Sequence, residues 1–148
     1  MAMELPLDFK EFLRLLNEHK VRYLLVGGYA VGYYGYPRAT QDIDVWIDRN
    51  PENASRIETV LRVFGFDSSE ISAGMFLKEN SIIRMGLPPI RIEVTTGISG
   101  VDFNNCFAER VQGVLDGVNV NIINLPHLKL NKKASGRHKD LDDLENLP

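Results

Sequence analysis

The chain has 148 residues and a formal charge of −3, from 17 Lys and Arg against 20 Asp and Glu, with 44% hydrophobic and 25% charged residues. That balance excludes disordered, collagen-like and disulfide-scaffold classes, and the acidic overall charge excludes a polycationic nucleic-acid wrapper. The single cysteine, Cys106, excludes an intrachain disulfide or a multi-cysteine metal site. Apolar runs stop at four or five residues, far short of the roughly 20 that a membrane helix needs. Glu4 and Asp8 interrupt any signal-like segment. The expectation is one soluble, cytoplasmic domain over residues 1–148, with no membrane contact.

In chain order, Asp8 with Glu11 three residues on reads as a capping pair, and Phe9, Phe12, Leu13 and Leu16 follow the spacing of a buried helical stripe. Tyr23 to Val26 is a short apolar run stopped by Gly27-Gly28, which suits a central strand followed by a turn into a short helix over Tyr29 to Tyr34. In Asp42 to Asp48 the residues alternate, with Ile43, Val45 and Ile47 on one face and Asp42, Asp44, Trp46 and Asp48 on the other. Pro51 opens a helix that continues through Ile57, Val60, Leu61 and Phe64 to Gly65. Strand-like pieces lie near Phe76–Lys78 and Ser81–Met85. In Ile90 to Val94, Ile90, Ile92 and Val94 face one way and Arg91 and Glu93 the other. Asp116-Gly117 marks a hairpin between Val111–Leu115 and Val118–Ile123. The tail from Leu125 to Leu147 reads as helix, turn, helix, with Gly136 at the break. Helices and strands that alternate early, with a late hairpin, predict an α/β (α+β) fold: a mixed β-sheet flanked by helices.

Asp42 and Asp44, two residues apart on one strand face, repel by about 2 kcal/mol at an effective dielectric of 20. A half-buried sheet face avoids that cost unless a cation or a basic side chain removes it. Magnesium is a hard ion that takes one or two carboxylates together with substrate phosphates. Glu93 adds a third carboxylate if its strand is a neighbour, and three suffice for a two-metal site. The alternative is a merely solvated sheet face. Gly27-Gly28, fifteen residues before Asp42, closes a strand and opens a helix, where backbone N–H groups can approach a phosphate.

The run Val26-Gly27-Gly28-Tyr29-Ala30-Val31, then Gly35, then Arg38-Ala39-Thr40-Gln41-Asp42-Ile43-Asp44 resembles the nucleotidyltransferase superfamily that includes DNA polymerase β. The likeness is to its small single-domain branch linked to toxin–antitoxin and abortive-infection systems. Asn131 to Asp140 resembles the tail of that branch. The resemblance implies a nucleotidyltransferase-like sheet with a C-terminal helix-turn-helix tail. It implies Gly27 and Gly28 on the triphosphate and Asp42 and Asp44 on Mg2+ or Mn2+. Glu93 stands where the family usually has Asp, one methylene shorter, and there the carboxylate helps to activate the attacking hydroxyl. The implied reaction is attack of an acceptor hydroxyl on the α-phosphate of a nucleoside triphosphate, with pyrophosphate leaving; the acceptor is RNA, protein or a small molecule.

Arg38 is placed to reach a phosphate, or equally to bridge to Asp42 or Asp44. The stretch from Lys129 to Lys139 holds five of the 17 Lys and Arg, with Asp140, Asp142, Asp143 and Glu145 close behind. It reads either as a solvated helix with local ion pairs or as Lys132, Arg137 and Lys139 facing the cleft to grip phosphates. Tyr36 and Trp46 lie near enough to stack a base. The alternative function is a catalytically impaired nucleotide-binding module or antitoxin-like partner of the same fold, with a toxin or antitoxin chain or a second copy as partner.

Overall fold

The structure, a computed structural model, describes residues 4–37, 40–66, 69–87 and 90–148. The elements run α1 (Leu7–Glu18), β1 (Tyr23–Val26), α2 (Gly27–Tyr33), β2 (Asp42–Ile47), α3 (Pro51–Phe64), β3 (Ile82–Leu87), β4 (Ile90–Thr95), α4 (Phe103–Ala108), β5 (Val111–Leu115), β6 (Val118–Ile122), α5 (Leu125–Ser135) and α6 (His138–Asn146). The strands form one mixed sheet in the order β3-β4-β2-β1-β6-β5. β2 is antiparallel to β1 and parallel to β4, and β6 is parallel to β1. This is the α/β architecture expected from the alternation of elements.

The alternation along β2 decides which side chains meet which layer. Ile43, Val45 and Ile47 are wholly buried, on the face where the Tyr23 hydroxyl donates to Asn17 of α1. α1 and α3 close that side, with Phe12 and Phe64 edge to face at 5.7 Å. Each of those three β2 side chains contributes about 1.5–3 kcal/mol by burial. A one-residue slip would expose all three and drive Asp42 and Asp44 into the apolar layer, so core burial fixes the direction of the carboxylates. Ile92 and Val94 of β4 are buried on the same side. Arg91 and Glu93 are thereby left on the face of Asp42 and Asp44.

Three local expectations change. Pro6 stands at the N-cap of α1 with no side-chain cap, and Asp8 lies inside the first turn, so the Asp8–Glu11 capping pair does not form. Residues 73–76 make a 3-10 turn that leaves Phe76 buried, not a strand. The six-residue α4, capped by the Asp102 carboxylate on the Asn105 N–H, was not expected, and its Phe103 packs edge to face on Trp46 at 5.1 Å. Trp46 is therefore 2% exposed and offers no surface for base stacking. α5 ends at Gly136, which is left-handed at φ 65°, and α6 follows. Among the described residues no helix is long and apolar enough to cross a membrane.

Candidate active site

Register brings the three acids together. Asp44 lies opposite Val26 on β1 and opposite Glu93 on β4, and Glu93 lies opposite Arg84 on β3. One row across four strands thus reads Val26, Asp44, Glu93, Arg84, with strands about 4.8 Å apart. The next row pairs Asp42 with Arg91. Asp42, Asp44 and Glu93 each offer a carboxylate oxygen, and these oxygens lie within 4.8 Å of one another.

Burial and like charge make Asp44 the electrostatically costly member. Desolvation, then the Glu93 and Asp42 charges, push its carboxyl up to about 7, and a hydrogen bond with Glu93 works the same way. Lys139, at the start of α6, opposes the shift. Two guanidiniums offset the remaining acids. Arg91 donates from Nε to Asp42 Oδ1 at 2.7 Å and from Nη2 to Oδ2 at 3.0 Å. Arg84 Nε reaches Glu93 Oε2 at 3.4 Å. Alternation puts Arg91 on the Glu93 face and offers it, or a neighbour, as a partner for Glu93; the partner of Glu93 is Arg84 instead, and Arg91 holds Asp42.

Gly27 shows how closely the turn approaches this cluster. It has φ +69°, and a Cβ there would stand 2.2 Å from Asp44 Oδ2. A Cβ on Gly28 would meet the Thr40 side chain at 3.0 Å. Only glycine lets the backbone lie against the second aspartate, and α2 starts at that point with its first N–H groups lacking intrahelical acceptors. We expect Gly27→Ala to lower unfolding stability by about 1–3 kcal/mol in a urea melt, from left-handed strain and displacement of Asp44. A melt that matches wild type would contradict the close approach.

The basic residues divide. Lys139 lies within electrostatic reach of Asp44. Arg137 feels both Asp44 and Glu93 but is bonded first to Asp140, through Nε at 2.8 Å. Lys132 is placed differently from the cleft-facing expectation: it is 3% exposed, with Nζ 3.2 Å from Asp140 Oδ1 and 3.1 Å from Asp143 Oδ2. The physical reason is its position four residues after the buried Leu128, on the packed stripe of α5. Arg38 lies outside the described residues. Tyr36 is half-buried, and its hydroxyl donates to Asp142 of α6 at 2.8 Å, tying the segment after α2 to the tail.

The donor set fits a hard divalent cation. It is all oxygen, its three carboxylates outnumber its two arginines, and burial, followed by the Glu93 and Asp42 charges, holds the Asp44 carboxyl above its ordinary range. Asp42, Asp44 and Glu93 would hold such an ion.

No protein-family model and no curated protein matches the sequence. Solved structures do match. One is a protein of Thermotoga maritima provisionally assigned as a nucleotidyltransferase, 19% identical, with 93% of this chain and 88% of that one aligned at a TM-score of 0.63. Another is the solution structure of the antibiotic-resistance factor ANT(2'')-Ia, an aminoglycoside nucleotidyltransferase, 13% identical, with 93% and 79% aligned at 0.59. The mixed sheet and its flanking helices align with these structures over 93% of the chain, which gives this chain a nucleotidyltransferase-like fold.

Proposed function

We propose that the chain is a divalent-cation-dependent nucleotidyltransferase that moves a nucleoside monophosphate from a triphosphate to an acceptor hydroxyl. The observation that carries this reading is the convergence of Asp42, Asp44 and Glu93 beside the Gly27 turn. Asp42, Asp44 and Glu93 would hold Mg2+ or Mn2+. When bound, such ions neutralise the triphosphate and polarise the phosphoryl oxygens. The backbone N–H groups of Gly27 and Gly28 would contact the phosphates, and Lys139, with Arg137 once drawn from Asp140, would add positive charge from α6 and its N-cap. Arg38 is proposed as a further phosphate ligand. Lys132 is given a structural part between the tail helices. Glu93 accepts the proton of the attacking hydroxyl at a carboxylate oxygen. Little covalent chemistry is asked of the protein; orientation and charge compensation supply the rate.

The test is calorimetric titration of ATP, CTP, GTP and UTP with Mg2+ and with EDTA, followed by label transfer to RNA, protein or small hydroxylated acceptors. Binding should require the cation. Equal binding in EDTA would remove the reading. A second reading, a nucleotide-binding module without transfer that acts as an antitoxin-like partner, is favoured by the hold of Arg91 on Asp42. It expects cation-dependent binding with no transferred label.

A further inference from the structure

We infer that Arg91, assisted by Arg84, is a resident counter-ion that holds the acidic cluster closed to cations, and that cation binding releases it to become a ligand of the triphosphate. This rests on the nucleotidyl-transfer reading and adds to it an order of events and an identified phosphate-binding residue.

Both oxygens of Asp42 are already occupied. Arg91 contacts both of its oxygens, one through Nε and one through Nη2. That two-point grip fixes the carboxylate plane and takes up a lone pair on each oxygen. Arg84 does the same more loosely for one oxygen of Glu93. Three carboxylates against two guanidiniums leave about one negative charge on the row before Lys139 is counted, so the arginines supply most of the charge compensation that a cation would otherwise bring. A divalent cation that takes Asp42 and Glu93 must draw on oxygens the arginines hold. Once cations carry the compensation, the guanidiniums face excess positive charge and are repelled from the row.

The structure lets Arg91 move. Its side chain is 35% exposed, against 21% for Asp42. The β3 residue directly opposite it is Gly86, which has no side chain to hold the guanidinium. The carboxylate stays on the central strand β2, while the arginine sits near the start of β4. A freed guanidinium, planar and bidentate, suits phosphate oxygens as well as it suits a carboxylate. A residue that merely oriented Asp42 would stay in place when the cation arrived, and its loss would weaken cation and nucleotide together. The counter-ion role predicts opposite signs.

The experiment is Mn2+ binding to the full chain, read by electron paramagnetic resonance of free ion, without nucleotide and then with a non-hydrolysable triphosphate, for wild type, Arg91→Gln and Arg91→Lys. Mn2+ alone should bind Arg91→Gln about three- to tenfold more tightly than wild type, since a half-exposed charged pair no longer competes. The triphosphate should bind that variant about tenfold more weakly in saturating Mn2+. Arg91→Lys, which keeps the charge but not the two-point grip, should fall between on both measures and guards against a folding defect in the glutamine variant. Equal or weaker Mn2+ affinity in Arg91→Gln, with wild type binding cation and nucleotide normally, overturns this inference alone. Tighter Mn2+ with unchanged triphosphate affinity overturns the phosphate-ligand half. No Mn2+ binding in any of the three proteins overturns both this inference and the transferase reading.

Discussion

Asp44→Asn should abolish cation-dependent nucleotide binding and at the same time make the cation-free protein more stable at neutral pH. The first effect follows from position: Asp44 lies between Gly27 on one side and Glu93 on the other, and removing its charge leaves two carboxylates that are both engaged by arginines. Nucleotide affinity in Mg2+ should fall by about 100-fold or more, given that even residues merely supporting a metal ligand cost about 10- to 100-fold. The second effect follows from linkage. The Asp44 carboxyl is pushed up to about 7 from an ordinary value of 3.8 by burial and by Glu93 and Asp42. Between those two values the folded chain holds a proton that the unfolded chain has released. Stability from this group is therefore complete below about pH 4 and declines as pH rises through about 7.

An asparagine has no such decline. At pH 8 in EDTA the variant should melt higher than wild type by about 1–2 kcal/mol of unfolding free energy, which is about 3–6 °C for a chain of this size. At pH 5 the advantage should shrink, because wild-type Asp44 is then largely protonated. With Mg2+ and nucleotide the order should reverse, since a ligand that binds only the folded wild type adds its own stabilisation. A set of thermal melts at two pH values, with and without cation, checks all three. Wild type melting higher in EDTA at pH 8 would mean that Asp44 carries no electrostatic cost, and that the charge argument for a cation is wrong.

How much of this site could be read from sequence depends on which kind of spacing carried it. Period-two alternation put Asp42 and Asp44 on the same face and Arg91 and Glu93 on theirs, and burial of Ile43, Val45, Ile92 and Val94 bears that out. What alternation does not carry is strand adjacency. Nothing local in residues 42–47 says that β4, 49 residues on, lies beside β2 with Asp44 opposite Glu93. The row depends on the parallel crossover, so the triad was conditional until the topology was known, and the grip of Arg91 on Asp42 was out of reach for the same reason. Short elements failed differently. α4 has only six residues, so the i, i+3, i+4 spacing of Phe103, Cys106 and Phe107 and the Asp102 cap are too short a pattern to stand out. The run near Phe76 looked strand-like because apolar residues are adjacent there, yet the chain turns tightly through Gly74. In the tail, charge composition drew attention to Lys132 as a phosphate ligand, while helical phase, four residues from Leu128, pointed to burial. Phase was the better guide.

That buried lysine gives the largest stability effect expected in the molecule. Asp140 and Asp143 are three residues apart on α6, so they share one face, and that face meets Lys132 of α5. Both carboxylates are fully buried, and both accept from the same ammonium. Burial works to raise the Asp140 carboxyl, and the hydrogen bonds from Arg137, Ser135 and Lys132 outweigh it, leaving the group well below the usual carboxylate range. Lys132→Met keeps the packed stem and removes only the charge, so two desolvated carboxylates lose the ammonium they share, and Asp140 keeps its hydrogen bonds from Arg137 and Ser135. Breaking a buried pair from one side costs about 3–5 kcal/mol, enough to unfold a domain of ordinary stability at 37 °C or to free α6 from α5.

The pH dependence separates this electrostatic cost from a packing defect. In wild type a depressed Asp140 contributes stability above about pH 4 and loses it as pH falls further. In Lys132→Met the missing ammonium removes much of that depression, so acidification relieves the variant where it harms wild type, and the two melting curves should converge between about pH 6 and pH 3. Adding Asp143→Asn to Lys132→Met should restore about half the loss, because Arg137 and Asp140 then remain as a balanced pair. A loss that stays constant with pH and is not relieved by Asp143→Asn would assign Lys132 to packing through its methylene stem. Relief on both counts would mean that α6 is held to α5 by charge, and that Lys139 and Arg137, at the start of α6, keep their influence on Asp44 through that hold.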